Sequence, residues 1–119
     1  MIRVLFFIAG DVDTESLITG RVQLGNGSTV LRSRIRGPVV IGDNVHIEDS
    51  FIGPFTSIGD GCRIFASVLE HCVFLENATV KRVDRLEDSL IGKNSVVIKE
   101  VNTHQAYRFM IGDDSEVLL

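Results

Sequence analysis

Three histidines are the side chains of this sequence that come closest to catalytic chemistry. A histidine acts as a general base when it lies within hydrogen-bond reach of the proton that it removes. His71 follows the carboxylate of Glu70 in the chain, so it is the candidate for a catalytic base, for example in acyl transfer. We expect His46 to be a solvated surface residue and His104 a surface or capping residue. We therefore assign no catalytic residue, and His71 remains the only candidate.

Three arginines alternate along a short segment, at positions 32, 34 and 36. Residues two apart in a strand lie on the same side of it, so Arg32, Arg34 and Arg36 are expected to share one face. Guanidinium groups bind phosphate through charge-assisted hydrogen bonds. A solvated face is the simpler interpretation of these arginines, and a module that binds a nucleotide sugar is the alternative.

The elements that position these side chains follow from an internal repeat in which equivalent residues stand seventeen positions apart. Isoleucine or leucine recurs at positions 18, 35, 52, 69 and 86, and further aliphatic residues divide each repeat into units of six, six and five. Three short strands per repeat, wound into a triangular prism, form a parallel β-helix of about five coils. The side chains expected to fill its core are Ile18, Leu24, Val30, Ile35, Ile41, Ile47, Ile52, Ile58, Ile64, Leu69, Leu75, Val80, Leu86, Ile91 and Val97.

The residues between these core positions also repeat. Glycine, Asn and Asp tolerate the positive φ of a tight corner, and four residues at the repeat spacing should stack along one edge: Asn26, Asp43, Asp60 and Asn77. Serines two places before the next core residue should point inward, at Ser33, Ser50, Ser67 and Ser89. The spacing slips between Leu75 and Leu86, which predicts a bulge or distorted corner between Val80 and Arg85.

The same repeat argues against a disulfide and against a metal site. Cys62 and Cys72 are ten residues apart, so they fall on different sides of a coil, and a disulfide needs converging Cβ vectors. We expect two reduced thiols. His46 and His71 also fall in different phases of the repeat, so they should not face each other. We therefore predict no metal and no cofactor.

Size, charge and composition limit the functional class. The 119 residues form one domain, with residues 1–11 as an N-terminal cap strand, 12–97 as coils and 98–119 as C-terminal strands. The formal net charge of −4 argues against nucleic acid as a partner. The longest apolar stretch, residues 4–9, is too short to span a bilayer and lacks a cleavage signal. We predict a cytoplasmic protein without a membrane partner.

Longer segments resemble one family of hexapeptide-repeat proteins. They are the passage IRGPVVIGDNVHIEDSFIGPFTSIGDGCRI, then VFLENATV, LEDSLIGKNSVV and the ending FMIGDDSEVLL. These segments are similar to the C-terminal domain of long-form glucose-1-phosphate thymidylyltransferases, the dTDP-glucose synthases. The resemblance extends from about Gly10 to Leu119, and Arg36-Gly37-Pro38 and Gly112-Asp113-Asp114-Ser115 are its more specific parts. Spacing alone does not determine the handedness of the β-helix. The resemblance implies that it is left-handed.

The family resemblance also implies what this chain lacks. Members of that family transfer a nucleotidyl group with an N-terminal α/β domain that opens with a glycine-rich GxGTRLxPxT-like loop, and nothing in the 119 residues resembles it. We therefore expect an assembly or regulatory domain that is not an enzyme by itself, with a nucleotidyltransferase catalytic domain as a possible partner. A hexapeptide acyltransferase that uses acyl-coenzyme A, and a nucleotide-sugar-binding regulatory module, are the alternatives.

Apolar residues outside the expected core predict self-association. They are too numerous for the surface of a monomer: Val40, Phe51, Phe55, Phe65, Val68 and Phe74. Phe51 and Val68 share one phase of the repeat with the aliphatic parts of Arg34 and Arg85, which gives an apolar stripe along one edge. We predict a homo-oligomer and prefer a trimer.

Overall fold

The computed structural model describes residues 6–99 and 110–118, which form three parallel sheets arranged as the faces of a prism. Face 1 contains β1 (Phe6–Ile8), β4 (Val22–Leu24), β7 (Val39–Ile41), β10 (Thr56–Ile58), β13 (Val73–Phe74), β16 (Leu90–Ile91) and β18 (Met110–Ile111). Face 2 contains β2 (Asp11–Val12), β5 (Thr29–Leu31), β8 (His46–Glu48), β11 (Arg63–Phe65), β14 (Thr79–Lys81), β17 (Val96–Ile98) and β19 (Glu116–Leu118). Face 3 contains β3 (Leu17–Thr19), β6 (Arg34–Arg36), β9 (Phe51–Ile52), β12 (Val68–Glu70) and β15 (Leu86–Glu87).

The strand pairing confirms the all-β parallel β-helix. Every strand pairs in parallel with strands of the neighbouring coils, and paired residues usually occupy equivalent positions of successive repeats, as Val30 and Ile47 or Ile35 and Ile52 do. The structure has about six turns rather than five. The additional turn arises because the segments near both ends, β1 and β2 and then β18 and β19, extend faces 1 and 2 in the same parallel sense.

The aliphatic rows fill the interior as the repeat predicts, with one error. Thirteen of the fifteen expected core residues are buried and Ile18 is partly buried. The prediction that Leu75 lies in the core is wrong, because Leu75 is 37% exposed and Phe74 is buried in its place. Ile58 pairs with Phe74 in the next coil, so the unit that starts at Leu69 has five residues instead of six. Phe74, predicted to be on the surface, therefore lies in the core.

The shortened unit is compensated in the following coil, where we expected a distorted corner. Val83 is buried, and its N–H donates to Ser67 Oγ at a sequence separation of 16, one less than at the equivalent corners of the other coils. One additional residue is thereby accommodated before Leu86, which pairs with Leu69 at the regular repeat spacing. The irregularity expected between Val80 and Arg85 is present.

Asp residues close the corners between faces 1 and 2. Asn26 N–H donates to Asp43 Oδ1 at 2.9 Å, and Asp43 N–H donates to Asp60 Oδ1 at 2.8 Å. A Cβ on Gly42 would collide with Asp60 Oδ1. Glycine at position 42 therefore leaves the room that the Asp60 carboxylate needs to reach the N–H of Asp43. The expected stack therefore holds from Asn26 to Asp60. Asn77 does not continue it: because of the slip, it lies over Gly61 with a left-handed φ of 60°.

A ladder of serines connects the coils at the corner between faces 2 and 3. The N–H groups of Ser33, Ser50 and Ser67 each donate to the serine Oγ of the preceding coil at 3.0–3.1 Å, starting from Ser16. The hydroxyls of the same three serines donate to the carbonyl oxygen two residues earlier at 2.7–2.8 Å. Each buried hydroxyl therefore satisfies two backbone groups, which explains why serine recurs at this position.

Replacement of Ser50 by alanine tests this ladder. Ser50→Ala leaves the N–H of Ser67 without its acceptor and the carbonyl of Glu48 without its side-chain donor, so the free energy of unfolding should fall by about 1–3 kcal/mol. Equilibrium denaturation in urea at one protein concentration measures the change. The control is Ser57→Ala, an exposed outward serine of β10, which should change stability by less than about 0.5 kcal/mol. Equal losses in both variants would contradict the ladder.

The position of the slip gives a second test. Phe74→Ala removes a fully buried ring, so the free energy of unfolding should fall by about 3–5 kcal/mol. Leu75→Ala should cost less than about 1 kcal/mol, since Leu75 is substantially exposed. Urea denaturation of the two variants checks the order. The reverse order would mean that the unit after Leu69 has six residues, as the regular repeat requires.

Candidate functional site

His71 lies at the corner between faces 3 and 1, where its side chain is exposed and its φ is 52°. Its Nδ1 atom is 3.9 Å from Asp88 Oδ1 of the next coil, and its ring centroid is 5.2 Å from that of Phe55. Glu70, the sequence neighbour, points away onto face 3 and lies 3.7 Å from Arg85. Among the described residues no hydrogen bond orients the His71 imidazole. The Asp88 carboxylate, at 3.9 Å, is beyond hydrogen-bond distance from the imidazole.

His46 belongs to a polar cluster on face 2 that the sequence analysis missed. Its Nδ1 atom lies 2.8 Å from Thr29 Oγ1, and its Nε2 atom lies 3.5 Å from Glu48 Oε1. The ring of Phe65 packs against the imidazole with a centroid distance of 5.3 Å. The spacing of Thr29 and His46 by one full repeat was the available signal, because outward residues of neighbouring coils stack in the same way as the core residues. His104, the third histidine, lies outside the described residues.

The three arginines do not share a face. Arg32 is at a corner with a φ of 46° and forms ion pairs with Asp49 (2.8 Å) and Glu48 (3.4 Å). The hydrogen bond between Arg32 and Asp49 raises the pKa of Arg32 and lowers the pKa of Asp49. Arg34 and Arg36 point outward from β6 on face 3 and are exposed. The expected patch is thus reduced to two arginines, because the strand begins only at Arg34.

Face 1 carries an apolar surface that we call the apolar wall. Three of the outward residues of this face, Val40, Val73 and Leu90, are 49%, 41% and 39% exposed, and Phe55 (65%) and Leu75 border them at the two corners. The exposed Ser57 lies between Val40 and Val73. Paired strands place Val73 beside Leu90. The predicted exposure of Val40 and Phe55 is confirmed.

The apolar stripe expected on face 3 is less exposed than the apolar wall. Phe51 and Val68 do lie beside each other, as their spacing predicted, but both are partly buried, and Phe65 on face 2 is partly buried as well. The prediction missed the wall because the slip before Phe74 turns Val73 and Leu75 outward.

Both cysteines are buried and reduced, as predicted. The Cys62 thiol donates to the carbonyl of Leu75 at 3.0 Å, and the Cys72 thiol donates to those of Glu70 and Leu86. Burial raises the pKa of each thiol from 9.0 to about 11. A thiol with so high a pKa is a poor nucleophile at neutral pH, so both cysteines serve as small core residues.

The raised thiol pKa values predict a loss of stability in alkali. An unfolded thiol ionises near pH 9.0 and the buried one near 11, so the contribution of Cys72 is complete below pH 9 and is lost as pH rises to 11. The expected slope is up to about 1.4 kcal/mol per pH unit for each thiol. Urea denaturation at pH 8, 9 and 10, under reducing conditions, should give a steeper decline for the wild type than for Cys72→Ala. Parallel pH curves would contradict a buried, neutral thiol.

Residues 6–99 and 110–118 contain no cluster of three or more His, Cys, Asp or Glu side chains arranged to hold a metal ion. In the same ranges we find no helix with the length and apolarity needed to cross a bilayer.

The fold defined by these coils is that of the hexapeptide-repeat solenoids. A crystal structure of a Bacillus cereus protein, provisionally assigned as an acetyltransferase, superposes with a TM-score of 0.66 over 96% of this chain and 72% of that one. The sequence identity is 17%, so this similarity concerns the fold alone.

Sequence comparison identifies the family. The model of the GMPPB C-terminal domain matches residues 35–118, which is more than half of the chain, and the chain belongs to this family. It is 46% identical to a glucose-1-phosphate thymidylyltransferase from Streptomyces antibioticus over 110 residues, and 38% identical to one from Streptomyces griseus over 106 residues. The matches cover 92% and 89% of this chain, but only 31% and 30% of the relatives. The similarity to the C-terminal region of these enzymes, inferred above from sequence segments, is confirmed.

Proposed function

We propose that this chain is an assembly and regulatory domain of the glucose-1-phosphate thymidylyltransferase type, without catalytic residues of its own. The observation that carries the proposal is the 46% identity over nearly the whole chain to a limited part of such an enzyme. In enzymes of this type we assign nucleotidyl transfer to a separate catalytic domain. That domain would be the partner of the solenoid. Two reduced, buried thiols support a cytoplasmic location.

The assembly role is supported by the apolar wall. Adjacent exposed apolar side chains on a protein surface mark interaction sites. Val73 and Leu90 are paired neighbours on face 1, and Val40 follows on the other side of the exposed Ser57. A second copy of the chain offers the same flat surface. We propose a homo-oligomer formed through this wall, and we prefer a trimer because three prisms can pack around an axis parallel to their length.

The alternative of an acyltransferase has only the fold in its favour. The Bacillus cereus structure shares 17% identity with this chain, and among the described residues no hydrogen bond orients His71. The assembly role has both the family and an exposed apolar surface in its favour. It is therefore the function that we propose.

Substitutions in the apolar wall test the assembly role. In sedimentation velocity the wild type should sediment as a multiple of 13.1 kDa, with three copies preferred. Val73→Lys and Leu90→Lys place a charge in the contact, so each should shift the protein toward a single copy at the same concentration. Circular dichroism confirms that the variants keep their β structure.

Leu17→Lys is the matched control for this experiment. Leu17 is also an outward apolar residue and is 54% exposed, but it lies on face 3. The control should sediment like the wild type. A wild type that sediments only as a single copy, or dissociation by Leu17→Lys but not by Leu90→Lys, would refute the proposed wall.

A further inference from the structure

A groove crosses face 3 near its N-terminal edge, between the first three strands of that sheet. Its volume is about 290 Å³, close to the lower end of the range for small-molecule sites. Its outward side chains combine two cations, a hydroxyl and two apolar groups: Leu17, Thr19, Arg34, Arg36 and Phe51. Ile35 also borders the groove, but its side chain is buried in the core. Among the described residues, the lining thus carries positive charge and includes no carboxylate.

The two arginines of the groove face the same way, and neither forms an ion pair within the part of the chain that the structure describes. Arg34 and Arg36 point outward from β6, with Cα atoms about 6.6 Å apart because each residue of a strand advances by about 3.3 Å. Neither guanidinium forms an ion pair with any described residue. Their registered neighbours are Leu17 and Thr19 on one side and Phe51 on the other, and none of these neighbours carries a carboxylate.

At the opposite end of face 3, an outward arginine is neutralised by carboxylates. Arg85 stands three repeats after Arg34 at the equivalent position, and it lies 3.7 Å from Glu70 and 3.4 Å from Glu87. Arg34 and Arg36 have no such carboxylate partner among the described residues, although the chain as a whole has a net charge of −4. The pair therefore presents positive charge that the protein itself does not neutralise.

Phe51 forms the upper wall of the groove. Gly53, the next outward residue on its coil, has no side chain, and the space is taken by the Phe51 ring and by Glu70, since a Cβ on Gly53 would lie 3.1 Å from Phe51 Cε2. The ring thus leans along the sheet above the arginines. An aromatic ring at this place offers a surface on which a planar base can stack.

We propose that this groove binds the diphosphate group of a small phosphorylated ligand. Arg34 and Arg36 would each donate to one of the two linked phosphates, since the planar guanidinium fork matches the oxygens of a phosphate. The Thr19 hydroxyl, beside Arg36 on the neighbouring strand, donates a further hydrogen bond. The ligand is inorganic pyrophosphate or a nucleoside diphosphate, and in the second case the base packs on Phe51. The proposal does not depend on the apolar wall, which is on a different face.

Titration calorimetry with the full chain tests the site. Inorganic pyrophosphate should bind saturably at low ionic strength and more weakly as salt is added. Arg34→Gln and Arg36→Gln should each weaken binding by at least about tenfold, because each removes charge-assisted hydrogen bonds. Thymidine diphosphate distinguishes the two ligand sources. If it binds more tightly than pyrophosphate, and Phe51→Leu removes only that excess, the ligand is a nucleotide; equal affinities identify pyrophosphate.

Arg63→Gln is the matched control. Arg63 is an exposed, outward arginine on face 2, and its loss changes the net charge by the same amount as either groove variant. This control should bind pyrophosphate like the wild type, and thermal unfolding followed by circular dichroism verifies that all variants are folded. Absence of saturable binding, binding unchanged in both Arg34→Gln and Arg36→Gln, or an equal loss in Arg63→Gln would overturn the proposal.

Discussion

The structure depends on the packing of each buried aliphatic side chain against its counterpart one coil away. Ile35, Ile52, Leu69 and Leu86 form one such row, and all four are buried. Burial of one such side chain contributes about 1.5–3 kcal/mol. Because three rows run in parallel through the same prism, a coil that shifted along one row would have to shift along all of them. The constant repeat length is the consequence of this constraint.

The slip around Phe74 illustrates how strictly the rows are enforced. The unit after Leu69 is one residue short, and the unit that ends at Leu86 restores the register by one additional residue. A side chain as large as phenylalanine replaces an aliphatic residue inside. The backbone absorbs the irregularity at corners, where residues with positive φ such as His71 and Arg82 already turn the chain. The sheets themselves continue without interruption.

The core could be predicted from the sequence because it obeys one period, whereas the corners and surfaces obey several local conditions. Thirteen core residues and the serine positions followed from spacing alone. Leu75 was misassigned because leucine and phenylalanine are equally apolar, and only the strand pairing distinguishes which of two adjacent residues faces inward. Arg32 was placed with Arg34 because alternation was assumed to extend beyond the strand. The groove was missed because its lining comes from three coils and depends on the absence of a side chain at Gly53.

Inward and outward residues of the strands are subject to different constraints, and this explains why the same β-helix can carry different surfaces. Between Val22 and Val97 the buried positions hold aliphatic, aromatic and small residues, as the rows and the serine ladder require. Outward positions have no such restriction, since their side chains stack only on outward residues of neighbouring coils. Face 1 is consequently apolar at Val73 and Leu90, and face 2 holds a polar cluster at His46. Face 3 carries Arg34 and Arg36, which form no ion pair with a described residue. Since each outward column can change without disturbing the rows, an assembly surface and a ligand groove can coexist on one rigid prism.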